Sequence, residues 1–85
     1  MTTSPSDDEP LAIDVLVGSD SFIVRLADGR SLCVPWDWSR RLAKATVAQR
    51  HHWRLVGRGQ GIQWPDADED LSVAGLLRGR VRVTK

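Results

Sequence analysis

The residues that could do chemistry fall into a few groups. They are the adjacent His51-His52, the acidic run Asp66-Ala67-Asp68-Glu69-Asp70, the glycine cluster Gly57-Arg58-Gly59-Gln60-Gly61, the single Cys33, and a set of cations in the second half. Neighbouring positions on a helix point about 100° apart, so His51 and His52 would not grip one metal ion together. They suit a helix end, where a protonated ring favours the negative end of the dipole. Asp66, Asp68 and Asp70 fall at the first, third and fifth places of a calcium-loop pattern. Leu71 then stands where the turn needs Gly, and Leu77 where the bidentate Glu belongs, so the pattern fails. The run reads as a solvated acidic turn ahead of a helix. The glycine cluster is not set between a strand and a helix in the βαβ unit that a dinucleotide fingerprint needs, and it lacks the Gly-Lys-Ser/Thr ending of a P-loop. It reads as a hairpin turn.

Cys33 sits between Leu32 and Val34 in an extended segment, and as a nucleophile it would need a nearby base. A small, half-buried thiol is the expectation. The sequence shows no Ser-His-Asp order, no H-E-x-x-H and no paired carboxylates that can be placed on a clear pocket wall. Enzymatic activity, a metal ion and a cofactor are therefore not expected.

The cations are unevenly placed. Arg25 and Arg30 accompany seven acids up to Asp37, whereas ten Lys and Arg from Arg40 onward face only Asp66, Asp68, Glu69 and Asp70. Arg40, Arg41, Lys44, Arg50, Arg54 and Arg58, with Trp38 and Trp53 among them, are the residue types that neutralise phosphates and stack on bases. The candidate partner-binding surface is an exposed helix face with Arg40, Arg41 and Lys44, joined by Arg58 on the glycine turn.

Elements must hold these groups in place. Ala12 to Val17, Phe22 to Leu26 and Ser31 to Val34 are short runs rich in β-branched residues, punctuated by Gly18-Ser19-Asp20 and Asp28-Gly29. They form an expected three-stranded meander. Phe22, Val24 and Leu26 face Leu32, Val34 and Trp36 at period two across Asp28-Gly29, which supplies the positive φ angles of a tight turn. From Asp37 to Arg54 the spacing turns helical, with Trp38, Leu42 and Ala45 on one stripe. The capping-box form Thr46-Val47-Ala48-Gln49 splits it into two short helices. Trp53 to Val56 and Gly61 to Trp64 form a second short hairpin, Pro65 closes it, and Ser72 caps a last helix, Val73 to Arg78, that ends at Gly79.

The 85 residues, 41% hydrophobic and 27% charged, describe one small domain and exclude a two-domain enzyme. The net charge of +1 gives no overall field toward nucleic acid or an anionic membrane. No apolar run approaches the roughly 20 residues of a membrane span, and the polar, acidic start has no signal-peptide form. A cytoplasmic protein without disulfides is expected, since there is one cysteine. Met1 to Pro10 read as a disordered acidic tail, 11–79 as a single domain and 80–85 as a basic tail, either edge strand or disordered. A domain this short buries only roughly 60–65% of its unfolded surface. The four tryptophans must therefore supply much of the core.

A longer signature runs through these elements: Ala27-Asp28-Gly29, Val34-Pro35-Trp36, Leu42-Ala43-Lys44-Ala45-Thr46, Arg50 and Trp53. It continues with Gly59, Gly61-Ile62-Gln63-Trp64-Pro65, Asp68-Glu69-Asp70-Leu71-Ser72-Val73 and Gly75-Leu76-Leu77. This resembles the bacterial domain of unknown function DUF2442, from about Ile13 to Gly79. Leu26-Ala27 stands where that family more often has Phe-Ser, and arginine is unusually abundant. The resemblance implies a small α+β fold, an antiparallel β-meander with short helices packed on one side, and no established catalytic residues. It also implies a domain that occurs alone, beside toxin-like partners, or ahead of a helix-turn-helix module for which this chain has no segment left. The expected function is a non-enzymatic, protein-binding regulatory module, antitoxin-like or a mobile-element-encoded inhibitor, whose partner is a toxin-like protein or host factor. Nucleic-acid binding through the same arginines is the alternative, and a homodimer is open to it as well.

Overall fold

Alternating apolar residues become the inner faces of two sheets. The computed structural model describes residues 10–79, so the expected tails at 1–10 and 80–85, Pro10 apart, lie outside the described residues. Strands β1 (Ala12–Val17), β2 (Ser21–Leu26) and β3 (Ser31–Pro35) form an antiparallel meander. A 3-10 turn at Trp36–Trp38 leads to α1 (Arg40–Ala43) and α2 (Val47–His51). Strands β4 (Arg54–Val56), β5 (Gly61–Trp64) and β6 (Glu69–Ser72) make a second three-stranded antiparallel sheet, and α3 (Val73–Leu77) closes the described chain. The architecture is α+β.

Both sheets feed one core. Phe22, Val24, Leu26 and Val34 from the first sheet meet Ile62, Trp64 and Leu71 from the second, with Leu42 and Leu76 from the helices. Phe22 lies 4.8 Å from Trp36 and 5.2 Å from Trp64 between ring centroids, in tilted and edge-on arrangements that suit aromatic quadrupoles. Of the tryptophans, Trp36 and Trp64 are buried and Trp53 packs on the core edge. Trp38 departs from the expected helical stripe. It precedes α1 and is 38% exposed, because Ser39, not Asp37, starts the helix.

The hairpin of β2 and β3 turns through three residues rather than two. Gly29 N–H donates to Leu26 O and Leu26 N–H to Arg30 O, and in the Asp28-Gly29 pair only Gly29 has positive φ, at 95°. That is the three-residue loop ending in a left-handed position. Arg30 holds the Asp28 carboxyl below its ordinary value, first through its backbone N–H and then through its guanidinium, 2.8 Å away. A depressed carboxylate stabilises the fold above its unfolded value and loses that effect as pH falls through the folded one. Asp28→Asn should therefore show a small stability deficit at pH 7 that shrinks in urea titrations repeated at acid pH, as the pH falls below the range of a free carboxylate. A deficit independent of pH would contradict this.

The acidic run is where structure and sequence reading part. Instead of a solvated turn, only Pro65–Ala67 turns; Asp68, at φ 54°, reverses the chain, and Glu69 begins a strand paired to β5. Glu69 and Leu71 point inward while Asp70 and Ser72 point outward, a period-two pattern hidden by the charges. The two cap motifs stand as expected. Thr46 Oγ1 accepts from Gln49 N at 3.1 Å while Gln49 Oε1 accepts from Thr46 N at 3.0 Å, and Ser72 Oγ accepts from Gly75 N at 2.9 Å. Thr46→Ala should cost about 1 kcal/mol in urea unfolding; an unchanged midpoint would mean that α2 is held by packing alone.

Candidate partner-binding surface

The basic helix is placed by a buried relay. Ser39 Oγ accepts from Leu42 N at 3.2 Å, satisfying a free amide of the first turn, and donates to Glu69 Oε2 at 2.6 Å. Ser39 and Glu69 are only 2% and 5% exposed, so α1 is anchored to β6 by a hydrogen bond in the interior. That anchor turns Arg40, Arg41 and Lys44 to solvent.

These cations are not equivalent. Arg41 Nη1 donates to the backbone oxygen of Asp68 and lies 3.3 Å from its carboxylate, so it buckles the helix onto the reversal that starts β6. Arg40 and Lys44 make no ion pair among the described residues. Arg58 is exposed but lies elsewhere. It sits in the turn joining Val56 to Gly61, whereas α1 docks beside Glu69, which pairs with Trp64 at the other end of β5. That separation is at least about 10 Å of strand. The expected surface therefore divides into a helix face and a separate turn, where Gly57, Arg58 and Gly59 have φ of 59°, 61° and 99°.

Arg50 and Arg54 are engaged by other residues of the chain, Arg50 in a half-buried site and Arg54 on the surface. The Arg50 guanidinium donates from Nε to Leu42 O at 3.0 Å and from Nη2 to Ala43 O at 3.1 Å, and lies 4.7 Å over the Trp36 ring. It closes the carbonyl end of α1, while its own backbone oxygen accepts from Trp64 Nε1 at 3.0 Å. Arg54 Nε donates to Gln63 Oε1 at 2.6 Å. Residue type alone does not reveal the capping role of Ser39 or the inward roles of Glu69 and Arg50. A Ser three residues before Leu42 was the one local signal for the helix start.

The other candidates are dispersed. Asp66 Oδ2 lies 2.8 Å from His52 Nδ1, Asp68 serves Arg41, and Asp70 faces out of β6. Among the described residues no three His, Cys, Asp or Glu are grouped to hold a metal ion. Cys33 is exposed, not half-buried, because it projects from the outer face of the first sheet; its Sγ lies 3.5 Å from Ser21 Oγ. A polar cleft of about 360 Å³ opens beside the α1 anchor, between Arg41, Gln63, Pro65, Asp68 and Asp70. A more apolar groove of about 290 Å³ lies between Val17, Gly18, Val47 and His51. Val47 is 68% exposed there. No helix among the described residues is long and apolar enough to cross a membrane.

Two solved structures are similar to the chain. A crystal structure of a protein of unknown function from Rhodospirillum rubrum ATCC 11170 matches with TM-score 0.81 and 29% identity, over 91% of this chain and 95% of that one. The solution NMR structure of an uncharacterized protein from Chromobacterium violaceum matches with TM-score 0.76 and 27% identity, over 88% of this chain and 71% of that one. No curated protein matches. Residues 12–82 match the protein family of unknown function DUF2442, nearly the whole chain, and this chain belongs to that family.

Proposed function

We propose that this chain is a non-enzymatic, cytoplasmic protein-recognition module of regulatory kind, antitoxin-like or a mobile-element-encoded inhibitor, whose partner is another protein. The observation that carries this reading is the division of labour among its side chains. The signature residues Arg50, Trp64 and Glu69 are spent inside the fold, while Trp38, Val47, Arg40 and Lys44 are left on the surface. Exposed large apolar side chains next to unpaired cations are the materials of a protein interface. Co-expression with the product of the neighbouring gene, read by native mass spectrometry, should give a stable complex. A lone chain, both there and on purification from the source cell, would contradict the proposal.

One feature favours nucleic acid as a second reading: exposed Trp38 stands two residues before the unpaired Arg40. With Arg41, Arg50 and Arg54 engaged by other residues of the chain, the helix offers only Arg40 and Lys44 to phosphates. That reading predicts a slope of log affinity against log salt near about −2, at roughly −0.9 per phosphate. Flat titrations with both DNA and RNA would remove it.

A further inference from the structure

The outer face of the first sheet carries an apolar row that spans all three strands. Leu16 faces Ile23 across β1 and β2, and Ile23 faces Cys33 across β2 and β3. Leu16 is 47% exposed, and the register shift between Ala12 and Asp14 leaves Ile13 58% exposed at the near end of the same strand. Next to this row runs a polar one, in which Asp14 faces Arg25 and Arg25 faces Ser31. The water-facing side of an antiparallel sheet normally alternates to polar residues. Here the inner face already completes the core, so the apolar row is not needed for folding.

We propose that this face binds a second copy of the same chain, in an isologous dimer whose twofold axis runs parallel to the strands between β1 and β2. An interface of that kind must be complementary to itself. The face carries both signs of charge side by side, and the axis exchanges the positions of β1 and β2. One rotation therefore lays Asp14 over the partner's Arg25 and Leu16 over the partner's Ile23 together. Arg25 is exposed and has no ion-pair partner among the described residues, although Asp14 is its cross-strand neighbour. A foreign partner would need acid, base and aliphatic groups in the same order, which a second copy supplies by symmetry. The net charge of +1 adds little repulsion between copies. The two sheets would stack with strands nearly aligned, the usual packing of sheet on sheet. Three strands offer less than the roughly 800 Å² per partner of a standard interface, so the association is weak and concentration-dependent.

Sedimentation equilibrium of the full chain, under reducing conditions to exclude a Cys33 disulfide, tests this from about 10 μM to about 1 mM, the range in which small interfaces populate. The average mass should climb from the 9.5 kDa of one chain toward twice that value. Leu16→Asp and Arg25→Glu should each weaken the dimer at least about tenfold while leaving the melting temperature within a few degrees, since both side chains are on the surface. The double variant Asp14→Lys with Arg25→Glu should recover dimerisation if it folds by circular dichroism. If it does not fold, the two single variants decide. A mass that stays at one chain throughout, or a dimer that either single variant leaves unchanged, overturns the proposal.

Discussion

Gly59→Ala is expected to cost about 2–5 kcal/mol, a large fraction of the roughly 4–13 kcal/mol that a domain of 85 residues holds. Gly59 holds φ at 99°, and a Cβ there would fall far inside contact distance of the Ala12 carbonyl oxygen and 3.0 Å from the Ala12 nitrogen. Those atoms are backbone of β1, so no side chain can swing away. The cost combines about 1–2 kcal/mol for a left-handed backbone with about 1–3 kcal/mol for forcing packed elements apart. Gly29 supplies the control. Its φ is 95°, nearly the same, but a Cβ there meets nothing within 4 Å. Gly29→Ala should therefore lose only the conformational part, about 1 kcal/mol. Urea unfolding of the two variants side by side isolates the close approach of the second sheet to β1. Equal losses would mean that this approach contributes nothing.

Arg50→Ala is expected to lose about 2 kcal/mol. Hydrogen bonds from a charged donor contribute about 1.5–3 kcal/mol each when buried, and the half-buried site is discounted for solvent screening. The variant would leave the Leu42 and Ala43 carbonyls without their donor and remove the cation from the Trp36 ring. Arg50→Lys keeps a positive charge near the carbonyl end of α1 but cannot fork to two oxygens. It should recover less than half of the loss. Full recovery by lysine would mean that charge alone, not the fork, does the work.

Which features were legible from the residues follows from how local their causes are. The first meander, the Thr46 box and the Ser72 cap are written within a few neighbouring positions, and they appear where the spacing puts them. Strand β6 was hidden because Glu69 and Asp70 look like solvent-facing charges. The Ser39 hydroxyl that lets Glu69 be buried lies thirty residues earlier in the chain. Arg50 was read as a phosphate contact for the same reason: its type suits an anion, but two carbonyls and an indole ring reach it first. The helix placement of Arg40, Arg41 and Lys44 was legible, whereas the distance of Arg58 from them depends on which end of β5 each one meets. Cys33 is exposed where a half-buried thiol is expected, since the register and not the residue type decides which face of the sheet it takes.

The buried signature residues build the scaffold and leave function to exposed side chains, Lys44 of the signature among them. Scanning calorimetry of Arg50→Ala beside Arg40→Ala with Lys44→Ala tests it most directly. Arg50→Ala should melt roughly 8–16 °C lower, at about 4–8 °C per kcal/mol for a domain of this size, while the surface pair should stay within about 3 °C of the parent. An Arg50→Ala variant that melts with the parent, or a surface pair that falls as far as Arg50→Ala, would contradict the claim.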